Sequence, residues 1–283
     1  MRPKIYDCFC YFNEDMILEL RLETLWDVVD VFVISEATYT QAGDPKPINF
    51  CPERFAKYMS KIRHLIVDHK PSGPNDFWKN ENYQRNYLKN GLTDALPDDW
   101  VLISDLDEIP RPEVIASYNP KYLRGDFEQD CYGYFLNNLW LGEGKSRFWQ
   151  GSKVTTYRHF TTFFKSNATS VRIYKSTGLI RALNRKLFKL FRTQKIKDGG
   201  WHFTWVFKIE NIIKKIESMA HQEYNKPEFK DPEYILEMIH SGRDFHKPKS
   251  RFQAQKIDEK FPQFLVDNQS RYQDWLLPPN RVI

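Results

Sequence analysis

Two carboxylates one residue apart, Asp105 and Asp107, follow the apolar run Val101 to Ile103, and Pro110 comes soon after them. A short β-branched and aliphatic run is typical of a buried strand, and proline cannot pair inside a sheet. In an extended chain, residues i and i+2 point to the same side, so the two carboxylates are expected to converge. Converging carboxylates repel unless a cation lies between them, as Mg²⁺ or Mn²⁺ does on a nucleotide. The pair predicts such a site, although a solvated loop or a helix cap has the same pattern.

The pair needs a sheet edge to present it, and the preceding sequence supplies strands and helices in alternation. Helical spacing of apolar residues predicts one helix over Glu14 to Trp26, and a second is predicted over Trp78 to Asn90. Alternation of this kind favours an α/β fold with a mostly parallel central sheet and flanking helices, and ligands bind at the carboxyl ends of its strands. Strand-like runs are Ile5 to Tyr11, Val28 to Ser35, Ile62 to Val67, Val101 to Ser104 and Cys131 to Leu139.

The pattern changes after Trp205, where isoleucines recur at helical spacing and later segments are polar and interrupted by prolines. The sheet is therefore expected to end near residue 178. We predict a catalytic domain over residues 1–205 and a helical C-terminal region over 206–283, packed on the same domain. A hydrophobic content of 41% is ample for a sizeable core.

A second group of residues that could do chemistry is Gly199-Gly200-Trp201-His202-Phe203-Thr204-Trp205. Glycines let the backbone approach a ligand, His202 could give a metal a neutral nitrogen, and Trp201 could stack on a sugar or a base. The alternative is a glycine turn that enters a helix whose tryptophans are core residues.

Glu36 and Arg85 are further candidates for binding a nucleotide. Glu36 ends the second strand-like run, so it should open onto the same sheet edge as Asp105, for contact with the nucleotide or the acceptor. Arg85 could reach a diphosphate with its planar fork, or it could form a surface ion pair with Glu81, four residues earlier.

The opening run I-Y-D-C-F-C-Y-F-N-E-D-M-I-L-E-L-R-L-E-T-L resembles glycosyltransferase family 17, the family of the β-1,4-mannosyl-glycoprotein N-acetylglucosaminyltransferases. The likeness continues in V-V-D-V-F-V-I-S-E-A-T-Y-T with G-D-P-K-P, in W-K-N-E-N-Y-Q-R-N, in D-L-D-E-I-P and in G-G-W-H-F-T-W. These blocks occur in the family's order over about residues 5 to 207.

The resemblance implies a GT-A type fold, a UDP-sugar donor carrying N-acetylglucosamine, a glycan acceptor and Mn²⁺ or Mg²⁺. It makes Asp105 and Asp107 the metal and nucleotide-sugar motif, with Asp107 as the direct ligand. It also implies inversion, which needs a carboxylate to take the proton of the acceptor hydroxyl. Glu143 is our candidate for this base, with Asp130, Asp198 and Glu36 as alternatives.

Seven basic residues fall between Arg181 and Lys197 in a run that predicts a helix with separate apolar and basic stripes. Such a helix can lie on an anionic membrane that presents a lipid-linked acceptor, or it can pack on the domain with a solvated basic face. The N-terminus enters strand-like sequence without a signal-peptide core, so we expect a cytoplasmic protein, peripheral to the inner face of a membrane if this helix binds lipid. No recognised nucleic-acid module accompanies the charge.

Two rival functions remain open from the sequence. A sugar-nucleotide nucleotidyltransferase would also use acidic metal ligands, but Cys8 to Asp15 lacks the glycine-rich phosphate loop such an enzyme usually has. A non-catalytic carbohydrate-binding protein would use the eight tryptophans and fifteen tyrosines as sugar platforms, without nucleotide or metal.

Overall fold

The computed structural model describes residues 2–71, 73, 75–142, 148–174, 181–247 and 249–278. Glu143 and residues 175–180 therefore lie outside the described part of the chain.

The strands, in chain order, are β1 (Ile5–Cys10), β2 (Val31–Ala37), β3 (Ile62–Val67), β4 (Trp100–Asp105), β5 (Glu108–Pro110), β6 (Arg124–Phe127), β7 (Gln129–Gly133), β8 (Asn138–Trp140), β9 (Phe148–Trp149), β10 (Lys153–Thr156), β11 (Thr193–Ile196), β12 (Gly200–Thr204) and β13 (Phe252–Ala254). The α-helices are α1 (Asp15–Leu25), α2 (Phe77–Tyr87), α3 (Pro112–Ile115), α4 (Tyr157–Thr162), α5 (Ala168–Arg172), α6 (Arg181–Phe191), α7 (Ile209–Ser218), α8 (Pro232–His240) and α9 (Gln263–Asp267). Short 3₁₀ turns span Ala56–Tyr58, Leu88–Gly91, Gln222–Tyr224, Pro227–Lys230 and Gln269–Trp275.

The described strands form two sheets. The central sheet has the order β11-β6-β10-β4-β1-β2-β3, and β4, β1, β2 and β3 run parallel to one another. The second sheet has the order β13-β8-β7-β12-β5, with β9 paired to β7. The predicted fold class, α/β with a mostly parallel central sheet, flanking helices and a helical C-terminal region, is confirmed. The arrangement agrees with the GT-A type that the resemblance implies.

The parallel strands read as apolar runs because helices cover both faces of their sheet. All seven residues of β2 are buried, and α1 buries Leu18, Leu20 and Leu22 in the main core. A separate cluster joins Ile212 and Ile216 of α7 to α8 and β13. None of the described helices has the length and apolar character that crossing a bilayer requires.

Three predictions about the secondary structure are wrong, and the first concerns the end of the sheet. It does not end near residue 178, because β11 adds to the central sheet and β12 and β13 to the second one. The run Cys131 to Leu139 is not one strand: β7 turns at Tyr134, whose φ is 67°, and β8 returns antiparallel to it. The basic run is not one helix, since α6 ends at Phe191 and Thr193–Ile196 is a strand. Short polar strands that pair with distant segments show little hydrophobic periodicity, so the sequence pattern does not predict them.

Candidate functional site

The two aspartates lie at a turn that connects the two sheets. Asp105 is the last residue of β4 in the central sheet, Leu106 and Asp107 form the turn, and Glu108 begins β5 in the second sheet. The parallel strands β1, β2 and β4 all end at this edge, as the sequence predicts. The turn therefore lies where ligands bind in open α/β sheets.

Arg21 of α1 fixes the shape of this turn. Its Nη1 donates to the carbonyl oxygens of Asp105, Leu106 and Glu108 at 3.1, 3.0 and 2.8 Å. Its Nη2 lies 2.6 Å from Oδ1 of Asp7 in β1, and both side chains are fully buried. A guanidinium can satisfy several carbonyls at once because it carries five donors. Neither Arg21 nor Asp7 was singled out from the sequence.

The carboxylate of Asp105 binds two arginines of the protein itself. Oδ1 accepts from Arg85 at 2.8 Å, and Oδ2 accepts from Arg172 at 2.7 Å. Arg85 also pairs with Glu81 at 2.7 Å, the i,i+4 pair expected from the sequence, but both residues are largely buried and do not form a surface pair. Arg85 therefore lies at the predicted nucleotide site, where it binds the carboxylate of Asp105.

Asp107 faces different partners from those of Asp105. Its Oδ1 lies 3.7 Å from His202 Nε2, and its Oδ2 lies 3.6 Å from Lys215 Nζ. Lys215 also lies 4.0 Å from a carboxylate oxygen of Glu14. Burial alone would lower the pKa of Lys215, but the carboxylates of Asp107 and Glu14 raise it above its ordinary value. A fixed positive charge therefore stands beside Asp107.

His202 and Trp201 lie on opposite faces of β12. The imidazole of His202 stacks on the indole of Trp149, with ring centroids 4.8 Å apart, and its Nδ1 lies 3.6 Å from Cys131 Sγ. Trp201 is 2% exposed, and its indole donates to the carbonyl of Lys260 at 2.9 Å. The structure brings His202 to Asp107, whereas Trp201 packs in the core.

The glycine turn leads into a strand, not into the helix weighed as an alternative. Gly200 has a φ of +118°, and a Cβ there would lie 2.2 Å from the carbonyl oxygen of Ile109. Gly200 thus lets the backbone of β12 approach β5, the strand that begins directly after Asp107.

Glu108 is a buried carboxylate that the sequence analysis did not single out. It binds both terminal nitrogens of Arg172, and it accepts from the Trp149 indole at 2.7 Å and from the Asp105 amide at 2.9 Å. Burial would raise the pKa of Glu108, but Arg172 holds it well below its ordinary value. Its position inside the D-L-D-E-I-P block was the only sign in the sequence that Glu108 could belong to the site.

Glu36 lies at the predicted sheet edge but is enclosed by protein groups. Its carboxylate binds Lys46 Nζ at 2.7 Å and the amides of Asn49 and Phe50 at 2.6 and 3.1 Å, and His64 lies 3.2 Å away. Burial would raise its pKa, but His64, the Asn49 amide and Lys46 lower it overall. Its contribution here is to anchor the segment after β2, and its predicted role in ligand binding stays a prediction.

The candidates for the catalytic base are dispersed. Glu143 lies outside the described residues. Asp198 is an exposed residue 3.3 Å from Arg111. Asp130 pairs with Trp201 across parallel strands, so the alternation of side chains puts it on the face opposite His202.

The capacity of the site for a metal rests on two donors. In the described part of the chain, no group of three or more His, Cys, Asp or Glu side chains is placed to hold an ion. Magnesium and manganese sites on nucleotides need fewer, because phosphate oxygens and water complete the shell. Asp107 and His202 lie 3.7 Å apart, which is less than twice a metal–ligand distance of about 2.1 Å, so both can contact one ion. The two oxygens of Asp105 are taken by arginines.

The fold and the site describe an α/β protein with an acidic, cation-lined turn at the ligand edge of its sheet. Residues 1–122 match the model of Glycosyltransferase family 17. The resemblance that the sequence predicts is confirmed: the chain is similar to glycosyltransferases of this family.

Two curated relatives share the similarity over nearly all of this chain. It is 24% identical over 292 residues to the beta-1,4-mannosyl-glycoprotein 4-beta-N-acetylglucosaminyltransferase of Rattus norvegicus, covering 95% of this chain and 54% of the relative. It is 24% identical over 283 residues to the protein of the same name from Homo sapiens, covering 92% and 52%. The chain spans about half the length of these relatives.

A likeness to solved structures is weaker. A glycosyltransferase involved in the glycosylation of the major capsid of PBCV-1 aligns with a TM-score of 0.33 at 11% identity, covering 69% of this chain and 81% of that chain. A TM-score of this size supports no conclusion about fold or function.

Proposed function

We propose that the protein is a glycosyltransferase that moves N-acetylglucosamine from a UDP-sugar to a hydroxyl of a glycan acceptor, with Mn²⁺ or Mg²⁺ as cofactor. The observation that carries this proposal is the placement of Asp107 between His202 and Lys215 at the turn after β4. Similarity to N-acetylglucosaminyltransferases supports the choice of sugar.

Asp107 and His202 are the residues that would hold the metal. When bound, the ion neutralises the donor diphosphate and stabilises the negative charge that develops as the diphosphate leaves. Lys215 supplies a second positive charge beside the same carboxylate, and its raised pKa keeps it protonated at neutral pH. Asp105 serves the site indirectly, because its ion pairs with Arg85 and Arg172 fix the end of β4.

The acceptor hydroxyl must lose a proton as its oxygen attacks the anomeric carbon. For an inverting reaction a carboxylate on the opposite side from the diphosphate takes that proton. Glu143 remains our candidate, since in sequence it lies between β8 and Trp149, whose indole stacks on His202.

The first experiment is calorimetric titration of the purified protein with UDP, with manganese and then with a chelator. We expect metal-dependent binding that Asp107→Asn abolishes. Transfer from UDP-N-acetylglucosamine, followed as UDP release, should fall by about 10²- to 10³-fold, as is typical when a group that stabilises developing charge is lost. Asp98→Asn is the matched control, because Asp98 is an exposed aspartate that pairs with Arg158 at the surface.

Two outcomes would contradict the proposal. UDP binding that is indifferent to metal and to Asp107→Asn would remove this turn from the donor site. Glycan binding without nucleotide or metal, by a folded protein that releases no UDP, would favour the carbohydrate-binding alternative. A thermal melt of each variant confirms that it is folded.

A further inference from the structure

A cavity of about 310 Å³ borders Arg172, the arginine that also binds Asp105. It lies among β6, β10, the end of α5 and α6. Among the residues that the structure describes, four cationic side chains line it against one carboxylate, Asp126, and none of the described candidates for the nucleotide site does; the cations are Arg124, Lys153, Arg172 and Lys189.

The cations compete for very few negative charges. Asp126 is shared by Arg124, whose Nε lies 2.7 Å away, and by Lys153, whose Nζ lies 3.3 Å away. Lys189 of α6 makes no ion pair with any residue that the structure describes, and Arg172 turns its guanidinium towards Asp105 and Glu108. Within the described part of the chain, positive charge therefore exceeds negative charge around the cavity.

Two of these cations are buried as well as crowded. Lys153 is 4% and Arg124 is 6% exposed. Burial, together with nearby Arg124 and Arg172, lowers the pKa of Lys153 to about 8, although Asp126 opposes the shift. Cations held away from water and close to one another are costly unless an anion joins them.

One wall of the cavity is aromatic. Tyr174 and Phe188 stack with ring centroids 4.0 Å apart, and Arg124 lies over the Phe188 ring at 5.3 Å. The space exceeds what a bare phosphate needs, and a flat aromatic wall beside cationic groups suits an anion attached to a sugar ring or another organic body.

We propose that this cavity binds the phosphate group of a phosphorylated sugar or of a phosphate-linked lipid, with Lys153, Lys189 and Arg124 contacting the phosphate oxygens. Arginine and lysine are the side chains that suit phosphate, and charge-assisted contacts are the strong ones. The site needs neither nucleotide nor metal, so it stands independently of the function proposed above. Arg172 connects it physically to Asp105 and Glu108.

The test is calorimetric titration at constant ionic strength with inorganic phosphate and with glucose 1-phosphate, without nucleotide or metal. We expect both to bind and the sugar phosphate to bind more tightly, because it also contacts the aromatic wall. Lys189→Gln should weaken binding by roughly 10-fold or more, the loss expected for one charge-assisted contact. Lys186→Gln on the same helix is the matched control and should leave binding unchanged, because Lys186 does not line the cavity.

A second variant protects the test against unfolding. Lys153→Met should weaken phosphate binding while a thermal melt shows that the protein is still folded. Lys189→Gln should leave stability unchanged, because Lys189 is exposed at the rim of the cavity. Absence of phosphate binding to the wild type, or equal losses in Lys189→Gln and Lys186→Gln, would overturn the proposal.

Vesicles separate the two sources of phosphate. Co-sedimentation with phosphatidylcholine vesicles that contain phosphatidic acid, lost in Lys189→Gln and absent without phosphatidic acid, would assign the site to a phosphate-linked lipid. Binding of glucose 1-phosphate with no vesicle binding would assign it to a soluble phosphosugar.

Discussion

The residue that changes the chemistry of the turn most is Lys215, because it places an ammonium group beside Asp107 from a helix far along the chain. It lies 4.9 Å from the Phe207 ring, which limits water around it. The carboxylate of Asp107 is thus shared between a fixed cation and the imidazole of His202. In the reaction proposed above, the leaving diphosphate would meet positive charge from Lys215 as well as from the metal.

Lys215→Met should lower kcat/KM for the UDP-sugar by roughly 10- to 100-fold, because a charge-assisted contact contributes about 1.5–3 kcal/mol. The KM for the acceptor should stay the same. Lys214→Met on the same helix is the control, since Lys214 is exposed and points towards Phe12, with its ammonium 5.9 Å from that ring. Initial-rate kinetics with each substrate varied in turn measure kcat/KM for the UDP-sugar and the KM for the acceptor. Equal losses of kcat/KM in Lys215→Met and Lys214→Met would contradict the role of Lys215.

Arg21 stabilises the same turn, and it does so through a buried ion pair with Asp7. Arg21→Met should lower the free energy of unfolding by about 3–5 kcal/mol, because it leaves Asp7 charged and without its partner. Urea unfolding measures the loss. Arg2→Met, which breaks an exposed pair with Asp30, should cost less than about 1 kcal/mol.

A double variant distinguishes stability from positioning. Arg21→Met with Asp7→Leu should recover much of the stability, since no buried charge is left unpaired. Activity should not recover, because the carbonyls of the Asp105 to Glu108 turn still lack their donor. Full recovery of both would mean that Arg21 has only a structural role.

Among the elements, β12 is the one that assembles the site, since it pairs with β5 at the acidic turn and with β7 on its other side. Its first residue, Gly200, combines a left-handed φ with a close approach to the β5 backbone. No side chain larger than hydrogen fits there without moving one of the two strands.

Gly200→Ala should destabilise the protein by about 1–3 kcal/mol or more, the usual cost of backbone strain with the clash added. Gly73→Ala is a matched control: Gly73 also has a positive φ, of +100°, but the described atom that a Cβ there would meet is the flexible end of Lys79 at 3.4 Å. Urea unfolding of both variants measures strain with and without the clash. Losses of equal size would show that the contact with β5 has no energetic weight.

The helix α6 exposes apolar residues beside basic ones. Leu190 and Phe191 are 63% and 64% exposed, whereas Phe188 is buried against the domain. The described members of the apolar stripe predicted from the sequence, Leu187, Leu190 and Phe191, are thus all exposed, and Phe188 was not part of that stripe. Ile180 and side chains 181–183 and 185 lie outside the described part. Contact with a membrane through this helix stays a prediction.

A Leu190→Ser, Phe191→Ser variant should lose co-sedimentation with anionic vesicles if α6 lies on a membrane surface, because the buried apolar area drives such binding. Leu96→Ser is the control, since Leu96 is 65% exposed and belongs to the loop before β4, not to this helix. If the wild type does not bind anionic vesicles, α6 has only the solvated basic face that the sequence also allowed.

At the scale of the whole molecule, one buried side chain, Asn137, adds to the backbone hydrogen bonds that attach the C-terminal segment to the second sheet. The Nδ2 of Asn137 donates to the carbonyls of Gln255 and Leu277 at 2.7 and 2.8 Å, and its Oδ1 accepts from the Leu277 amide at 2.8 Å. One side chain thus connects the turn before β8 to two points that follow β13.

Asn137→Ala should lower the free energy of unfolding by about 1–3 kcal/mol for the buried groups left unpaired. Hydrogen exchange should accelerate over residues 255–277 and stay unchanged in β1 and β2. Asn119→Ala, at an exposed turn, is the control. Uniform acceleration through the chain would show that Asn137 stabilises the fold generally and not this segment.

The sequence by itself determined the elements with strong periodicity and the positions of the acidic turn. The helix predicted over Glu14 to Trp26 is α1 (Asp15–Leu25), and the carboxyl ends of the parallel strands share one edge because β-α-β alternation leaves few other topologies. His202 was predicted as a site residue from its block of glycines and indoles, and it lies 3.7 Å from Asp107. These features are local, so a single segment carries each of them.

Only the tertiary structure decided which partners those residues have. Arg172 reaches Asp105 and Glu108 from α5, Lys215 reaches Asp107 from α7, and Trp201 turns into the core while its neighbour His202 does not. Ion pairs between residues far apart in the chain depend on the packing of whole elements, and that packing leaves no periodic trace in the sequence. The aspartates were therefore predictable, but their division into one held by arginines and one between His202 and Lys215 was not.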